Sequence, residues 1–345
     1  MKKFVSYVNI NDLGSISERH LKLFTRINLA FGKLKDGELY INNIKSMDFI
    51  DNIRSINPDI EIILSIGGGG AFGFSDMAME FDTRKKFIES MIAHVEKFNL
   101  DGIDLDWEFP CCDWGGDFSP KDKENFTFLL MEMRNALDLY GDKINKKMIL
   151  TIAAGVGEWF INVVEIEKIH KYLDQVMLMT YDLRGFNQPI TGHHTTLYTK
   201  EKDVYRMSAH DGIRLLMDNG VPKEKIVMGF ATYSRYWEGV SPQNNGLLQD
   251  SKLGSGDYFL QYPEIQTQII ENPEFEIFWD DEAKVPWAYS KDGKFVTFDN
   301  YESVREKCRY IIENDLPGIM FWRYVIWEDN PLFEAVNEEF CLYKF

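Results

Sequence analysis

Residues 101–108 read Asp101-Gly102-Ile103-Asp104-Leu105-Asp106-Trp107-Glu108, with acids alternating against large apolar side chains. On an extended strand, successive side chains point to opposite faces, so Asp104, Asp106 and Glu108 share one face and Ile103, Leu105 and Trp107 the other. A solvated edge strand or an oxygen-ligated cation site would also tolerate alternating acids. The opposite face argues against exposure, because Ile, Leu and Trp at alternate positions require burial. Three carboxyl groups crowded on one face and partly removed from water cannot all ionise at neutral pH, so at least one pKa is expected to be raised. A carboxylic acid still protonated at pH 7 is a proton donor.

Outward from this strand the pattern switches to helical period on both sides. Phe87, Ile88, Met91, Ile92, Val95 and Phe98 form one apolar stripe before it. Beyond it, Ser119-Pro120 predicts an N-cap with Pro at the first helical position, and Phe126, Leu129, Leu130, Met133 and Leu137 continue a buried face. Strand-like runs recur at Phe4–Ile10, Ile27–Phe31, Ile62–Gly68, Gly102–Phe109, Met148–Ala154, Val176–Tyr181, Ile226–Phe230 and Gly318–Trp322. Eight apolar strands separated by helices predict a closed (β/α)8 TIM barrel, an α/β fold with both faces of its parallel sheet covered. Nearly ninety residues separate Phe230 from Gly318, more than one helix and two loops need, with strand-like pieces at Phe275–Trp279 and Lys294–Phe298. The expected division is therefore a barrel over 1–235 and 299–345, with a small α+β insertion over 236–298 between strands seven and eight. The last barrel helix falls near Ser303–Asn314.

Composition narrows the chemistry. A chain of 345 residues with 45% apolar and 14% aromatic content can bury a large core. Its net charge of −17 disfavours nucleic acid and anionic lipid, which need clustered Lys and Arg. No run reaches the roughly 18 apolar residues of a membrane span. Met1-Lys2-Lys3 leads straight into Phe4–Val8, too short and polar for a secretory leader, so the sequence as it stands is expected to be cytoplasmic, or secreted if a leader has been removed. Cys111, Cys112, Cys308 and Cys341 show no regular spacing, and neither a disulfide framework nor a zinc site is expected. The adjacent Cys111-Cys112 pair has a metal or redox reading and a bland one, two small loop thiols; the second is preferred.

In such barrels the active site lies at the carboxyl ends of the strands. Those ends gather Ser65-Ile66-Gly67-Gly68-Gly69-Gly70, Glu108, Met179-Thr180-Tyr181-Asp182, Tyr233, Arg235 and Trp322. Acids, phenols, a guanidinium and indoles together suit a sugar, whose flat faces stack on aromatics while its hydroxyls and amides take directional partners. The glycine run lacks the Lys-Ser/Thr and the strand–helix context of a phosphate cradle, so close backbone approach is the preferred account. His193-His194, as adjacent residues, would face opposite ways and are read as hydrogen-bonding loop residues rather than metal ligands. Most Phe residues are read as core; Trp237, Trp279, Trp287 and Trp322 are the aromatic candidates for ligand contact.

With these residues in view, the chain resembles the chitinases of glycoside hydrolase family 18 over nearly its full length. Residues 101–108 fit the family's DxxDxDxE signature, Ser65-Ile66-Gly67-Gly68 is similar to its SxGG motif, and Met179-Thr180-Tyr181-Asp182 to its MxYD motif. Trp322 resembles the floor tryptophan. Gly229–Arg235 is similar to the seventh-strand motif but carries Ala231 and Ser234 where Pro and Gly are usual. The insertion resembles the α+β domain of the deep-cleft branch. The resemblance implies a substrate-assisted retaining mechanism with Glu108 as acid and base, Asp106 and Asp104 behind it, and Tyr181 orienting the substrate's acetamido group. It further implies substrate contacts at Trp322, Asp182, Met179, Tyr233, Arg235 and Trp107, and support from Asp101, Ser65, Gly67 and Gly68. The implied partner is chitin or a chitooligosaccharide, acted on by a monomer without metal or cofactor. An endo-β-N-acetylglucosaminidase acting on N-glycan or peptidoglycan, and a sugar-binding lectin, are the alternatives; a lectin of this fold typically lacks the acid, and Glu108 is present.

Overall fold

The computed structural model describes residues 2–113, 117–185, 188–252 and 259–342. Among these residues eight parallel strands close a barrel: β1 (Lys3–Asn9), β2 (Arg26–Lys35), β3 (Glu61–Gly67), β4 (Gly102–Asp106), β5 (Ile149–Ala154), β6 (Gln175–Leu178), β7 (Ile226–Ala231) and β8 (Gly318–Trp322). Each strand pairs with the next, and β1 pairs with both β8 and β2, so the sheet has no free edge there. The eight expected strands are all found. β4 and β6 end earlier than the apolar runs suggested, at Asp106 and Leu178, leaving Glu108 and Tyr181 just past the regular ladder.

Side-chain parity explains the two layers around the sheet. Ile62, Leu64 and Ile66 of β3 and Ile103 and Leu105 of β4 join the core between sheet and helices. The helix Phe81–Lys97 packs Phe87, Met91 and Val95 into it, and the helix Asp122–Ile144 adds Phe126, Leu129, Leu130, Met133 and Leu137. Each such side chain contributes roughly 1.5–3 kcal/mol relative to exposure. The second helix starts at Asp122 instead of Pro120: the Asp122 carboxylate accepts the Ser119 amide at 2.7 Å, holding Ser119-Pro120 in the preceding turn. The barrel interior is a separate cluster of Val5, Tyr7, Met177, Val227 and Met320.

After β7 the chain forms a four-stranded antiparallel sheet, ordered Phe275–Asp280, Val285–Ser290, Phe295–Thr297, Arg235–Trp237. Its first strand begins at Arg235, one residue before the expected boundary. The strand Val285–Ser290 was not anticipated, because Pro286 and two turn-like flanks mask its period. The following barrel helix spans Tyr301–Glu313, capped by Asn300, whose side chain accepts the Ser303 amide at 2.9 Å. No helix among the described residues is long and apolar enough to cross a membrane.

Candidate active site

The acidic face of β4 points into the barrel's carboxyl end. Asp104 is fully buried and accepts three hydrogen bonds from hydroxyls: Ser65 Oγ at 2.7 Å, Tyr7 Oη at 2.9 Å and Thr151 Oγ1 at 2.5 Å. Ser65 and Thr151 are its direct neighbours in register on β3 and β5. Burial raises the Asp104 pKa, and the three hydroxyls offset part of that rise. Asp106, next along the face, is raised much further, by burial first and then by the charges of Glu108 and Asp104. Its carboxyl shares a hydrogen bond with Glu108, while Oδ1 is buried without a hydrogen-bond partner among the described residues.

Glu108 sits above this pair. Burial, then the negative charge of Asp182, push its pKa up to about 7, against the Gly69 amide and the Lys33 ammonium, which favour the carboxylate. The glycines of the β3 tip make that approach possible. A Cβ on Gly67 would lie 2.0 Å from the Asp106 carbonyl oxygen, and one on Gly68 would lie 2.5 Å from the Phe31 ring; both residues have positive φ. The Gly68 amide donates to the Asp106 carbonyl at 2.9 Å. Close approach therefore accounts for the first two glycines of this run, Gly67 and Gly68.

The remaining wall comes from the ends of β6, β7 and β8. Tyr181 is half-buried against Met320, with its hydroxyl 3.9 Å from the Met320 sulfur, and desolvation followed by the charges of Asp106 and Glu108 raises its pKa well above the usual phenol value. Met179 packs at the junction of the interior and outer clusters. Partial burial alone would raise the Asp182 pKa, but His194 and Arg235 hold it well below the usual carboxylate range. Arg235 Nε donates to Asp182 at 2.6 Å and the Tyr233 hydroxyl donates to the same carboxylate. Trp322, half-buried, stacks on Phe31 with centroids 5.3 Å apart and planes 22° apart, and meets Tyr7 edge-on at 5.9 Å. Cis peptide bonds join Glu108 to Phe109 and Trp322 to Arg323.

Three of the expected ligand contacts, Trp107, Trp237 and Trp287, are corrected. Trp107 faces away from the cleft: it stacks on Phe74 at 5.4 Å, meets Phe126 edge-on at 5.6 Å and belongs to the outer core, as its odd parity on the strand requires. Trp237 and Trp287 lie in the apolar cluster of the four-stranded sheet, their indole N–H groups donating to the carbonyls of Gln188 and Asn245. Trp279 is half-buried and donates to Asp281. Asp101, at the opposite end of the barrel, accepts the Ile62 amide at 2.5 Å and Arg54 at 2.8 Å and pairs with Lys146. His193 pairs with Asp280 at 3.1 Å in a loop, and the buried His194 lies 3.7 Å from Asp182. The four cysteines are free thiols.

Sequence reasoning missed Tyr7, Thr151, Phe31, Lys33 and the Gly69 amide. Thr151 carried a usable signal, a polar residue between Leu150 and Ile152 in an otherwise apolar strand. Tyr7 carried parity with Val5, which marks the barrel interior once closure is known.

A closed (β/α)8 barrel with a line of carboxyls at the carboxyl end of its fourth strand defines the class, an enzyme-type barrel with an acid poised near neutrality. The chain belongs to glycosyl hydrolases family 18, whose model matches residues 3–324. It is 33% identical to Chitinase A1 of Niallia circulans over 295 residues, 79% of this chain and 41% of that protein. It is 29% identical to the Endochitinase of Manduca sexta over 318 residues, 85% of this chain and 56% of that protein. The chain thus spans about half the length of these curated relatives. Among solved structures, a glycoside hydrolase family 18 N-acetylglucosaminidase from Paenibacillus barengoltzii superposes with a TM-score of 0.95 and 39% identity, covering 98% of this chain and all of that one.

Proposed function

We propose that this protein hydrolyses β-1,4 linkages between N-acetylglucosamine units, in chitin or chitooligosaccharides, by a substrate-assisted retaining mechanism. The observation that carries the reading is the strand-four carboxyl line: an acid with a pKa of about 7 at the cleft, above a buried carboxyl whose Oδ1 has no partner among the described residues. This family is an exception to the usual two-carboxylate arrangement of glycosidases.

Glu108 donates its proton to the glycosidic oxygen as the C1–O bond breaks. The substrate's acetamido oxygen attacks C1 in its place, giving a cyclic oxazolinium, so no enzyme nucleophile is required. Asp106 Oδ1 accepts the acetamido N–H and stabilises the cation, while Asp104 shares the proton that Asp106 holds in the resting cluster. Tyr181 donates to the acetamido oxygen and fixes the attack geometry, a contribution on the order of several kcal/mol. Trp322 is the floor under the reacting ring. Water then attacks C1 from the face of the departed sugar, returns a proton to Glu108, and leaves the anomeric configuration unchanged. Tyr233 and Arg235 act through Asp182, which stays ionised beside the acid and favours its protonated form. The insertion, residues 236–298, walls the cleft, and one chain supplies every group, so a monomer suffices.

Incubation with N-acetylglucosamine oligomers, chitin and a glycoprotein side by side, with products read by mass spectrometry, tests the reading. Oligomer cleavage with retained configuration is expected. Release of N-glycans without oligomer cleavage would overturn it. The full-length match to an N-acetylglucosaminidase favours one refinement, release of single N-acetylglucosamine units. The same product analysis separates it from internal cleavage, which gives dimers and longer fragments first.

A further inference from the structure

Lys33, on β2, brings a cation to the edge of the acidic cluster. Its ammonium donates to the Gly67 carbonyl at 2.6 Å and lies 5.0 Å from the centroid of Phe31, the ring that stacks on Trp322. Among the described residues no carboxylate lies within the 4.0 Å of an ion pair with it, whereas Arg235 is paired with Asp182 at 2.6 Å. The half-buried ammonium is partly desolvated, which lowers its pKa, and the carboxyls of Asp106 and Glu108 act in the opposite sense.

The carbonyl it holds is not an arbitrary one. Gly67 is pressed against the Asp106 backbone, the Gly68 amide donates to the Asp106 carbonyl at 2.9 Å, and the Gly69 amide meets the Glu108 carboxyl. The tip of β3 is therefore the surface against which this pair, the Asp106 backbone and the Glu108 carboxyl, rests.

We propose that Lys33 is a positioning residue for this pair: its ammonium fixes the Gly67 carbonyl, and through it the amides that meet Asp106 and Glu108, and it sets an unneutralised positive charge beside both carboxyls. The proposal rests on the reading of Glu108 as proton donor. The groups facing Glu108 are Asp104 and Asp106 from β4, Tyr181 and Asp182 from the end of β6, and Lys33 from β2; Arg235 and His194 reach it through Asp182. Asp182 favours the protonated acid and Lys33 the carboxylate, so removing Lys33 lets Glu108 keep its proton to higher pH. A contact that only braced the fold would not move that titration.

The test compares wild type with Lys33→Met, Lys33→Gln and Lys33→Arg on the N-acetylglucosamine tetramer between pH 5 and 9. In the two neutral variants the ratio of kcat/KM at pH 8 to that at pH 6 should rise at least about threefold, a modest Coulombic effect for a partly screened charge. Their kcat at pH 6 should fall with KM changed less than twofold, and the arginine variant should restore the wild-type pH ratio. Lys33→Gln, neutral but still able to donate a hydrogen bond, keeps the test open if the methionine variant folds poorly. Neutral variants that melt like wild type and keep its pH ratio overturn the proposal, as does a change confined to KM. Failure of wild type to cleave the tetramer would instead overturn the proposed function.

Discussion

The Tyr7 hydroxyl reaches across the barrel interior to Asp104 Oδ2 at 2.9 Å, linking residues 97 positions apart in the chain. With Ser65 and Thr151 it surrounds a fully buried carboxyl with neutral donors, and no ion pair to Asp104 exists among the described residues. Hydroxyls favour the charged form without fixing it, whereas a bound guanidinium would lock the carboxylate ionised. Asp104 is thereby left able to share a proton with Asp106 as charge develops above.

Removing one of these donors should disturb the exchange before it disturbs the fold. Tyr7→Phe is expected to lower kcat about tenfold, with KM within a factor of about three, since a hydrogen bond to a charged group is worth roughly 1.5–3 kcal/mol. The loss acts on a group that does not touch substrate. Steady-state kinetics on an N-acetylglucosamine oligomer decides it, and an effect on KM alone would show that Tyr7 faces the sugar instead.

How much of this was readable in the residues follows from the range of the interactions. Strands and helices announce themselves locally, so all eight barrel strands were legible, as was the acidic face of β4. Ser65 was legible through the family motif. Tyr7 and Thr151 meet Asp104 only through closure and register; the polar Thr151 in an apolar strand marks an inward position, but no local pattern names its partner. Trp237 and Trp287 are core for a related reason: an indole suits a core as well as a sugar, and tertiary packing makes the choice; Trp107 is set away from the acids by strand parity alone. Lys33 carried no signal, because a lysine near a strand end is ordinarily solvated.

Glu108→Gln should abolish turnover while leaving oligosaccharide binding intact, because the amide keeps the shape and loses the transferable proton. The expected fall in kcat exceeds about a hundredfold, the lower range of general acid–base catalysis. Calorimetric titration with an oligomer should still give a binding isotherm. Retention of more than about a hundredth of the wild-type kcat would assign the proton to another group.

Tyr181→Phe tests substrate assistance from the protein side. Among the described residues the phenol beside Met320 has no strong hydrogen-bond partner beyond the 3.9 Å sulfur contact, so its hydrogen bond is available to the acetamido oxygen. A large fall in kcat with little change in binding is expected; a change confined to KM would mark a ground-state contact. Fully deacetylated chitosan, which lacks the internal nucleophile, should resist cleavage, and its efficient hydrolysis would sink the mechanism.

Asp101 predicts stability rather than activity. Asp101→Ala strands the buried Ile62 amide, at a cost of about 1–3 kcal/mol, with less from Arg54 and Lys146, whose side chains stay 20% and 36% exposed. The melting temperature should drop by several degrees while kcat of the folded protein is unchanged, because Asp101 lies at the end of the barrel opposite the acids. A melting curve that overlays wild type would show that the clamp contributes nothing.

Glu108 must be protonated to act as acid, and its pKa is pushed up to about 7 by burial and by Asp182, so kcat/KM should be full below that value and decline as pH rises through it. Asp182, held well below the usual carboxylate range by His194 and Arg235, stays ionised throughout and cannot produce this limb. The profile should be unchanged by EDTA and by thiol reduction, since carboxyl, phenol, indole and substrate groups fill every proposed role. Activity lost to EDTA and restored by one divalent ion would make the β4 acids metal ligands. A basic limb that persists unaltered in the residual activity of a Glu108 variant would assign the titrating acid elsewhere.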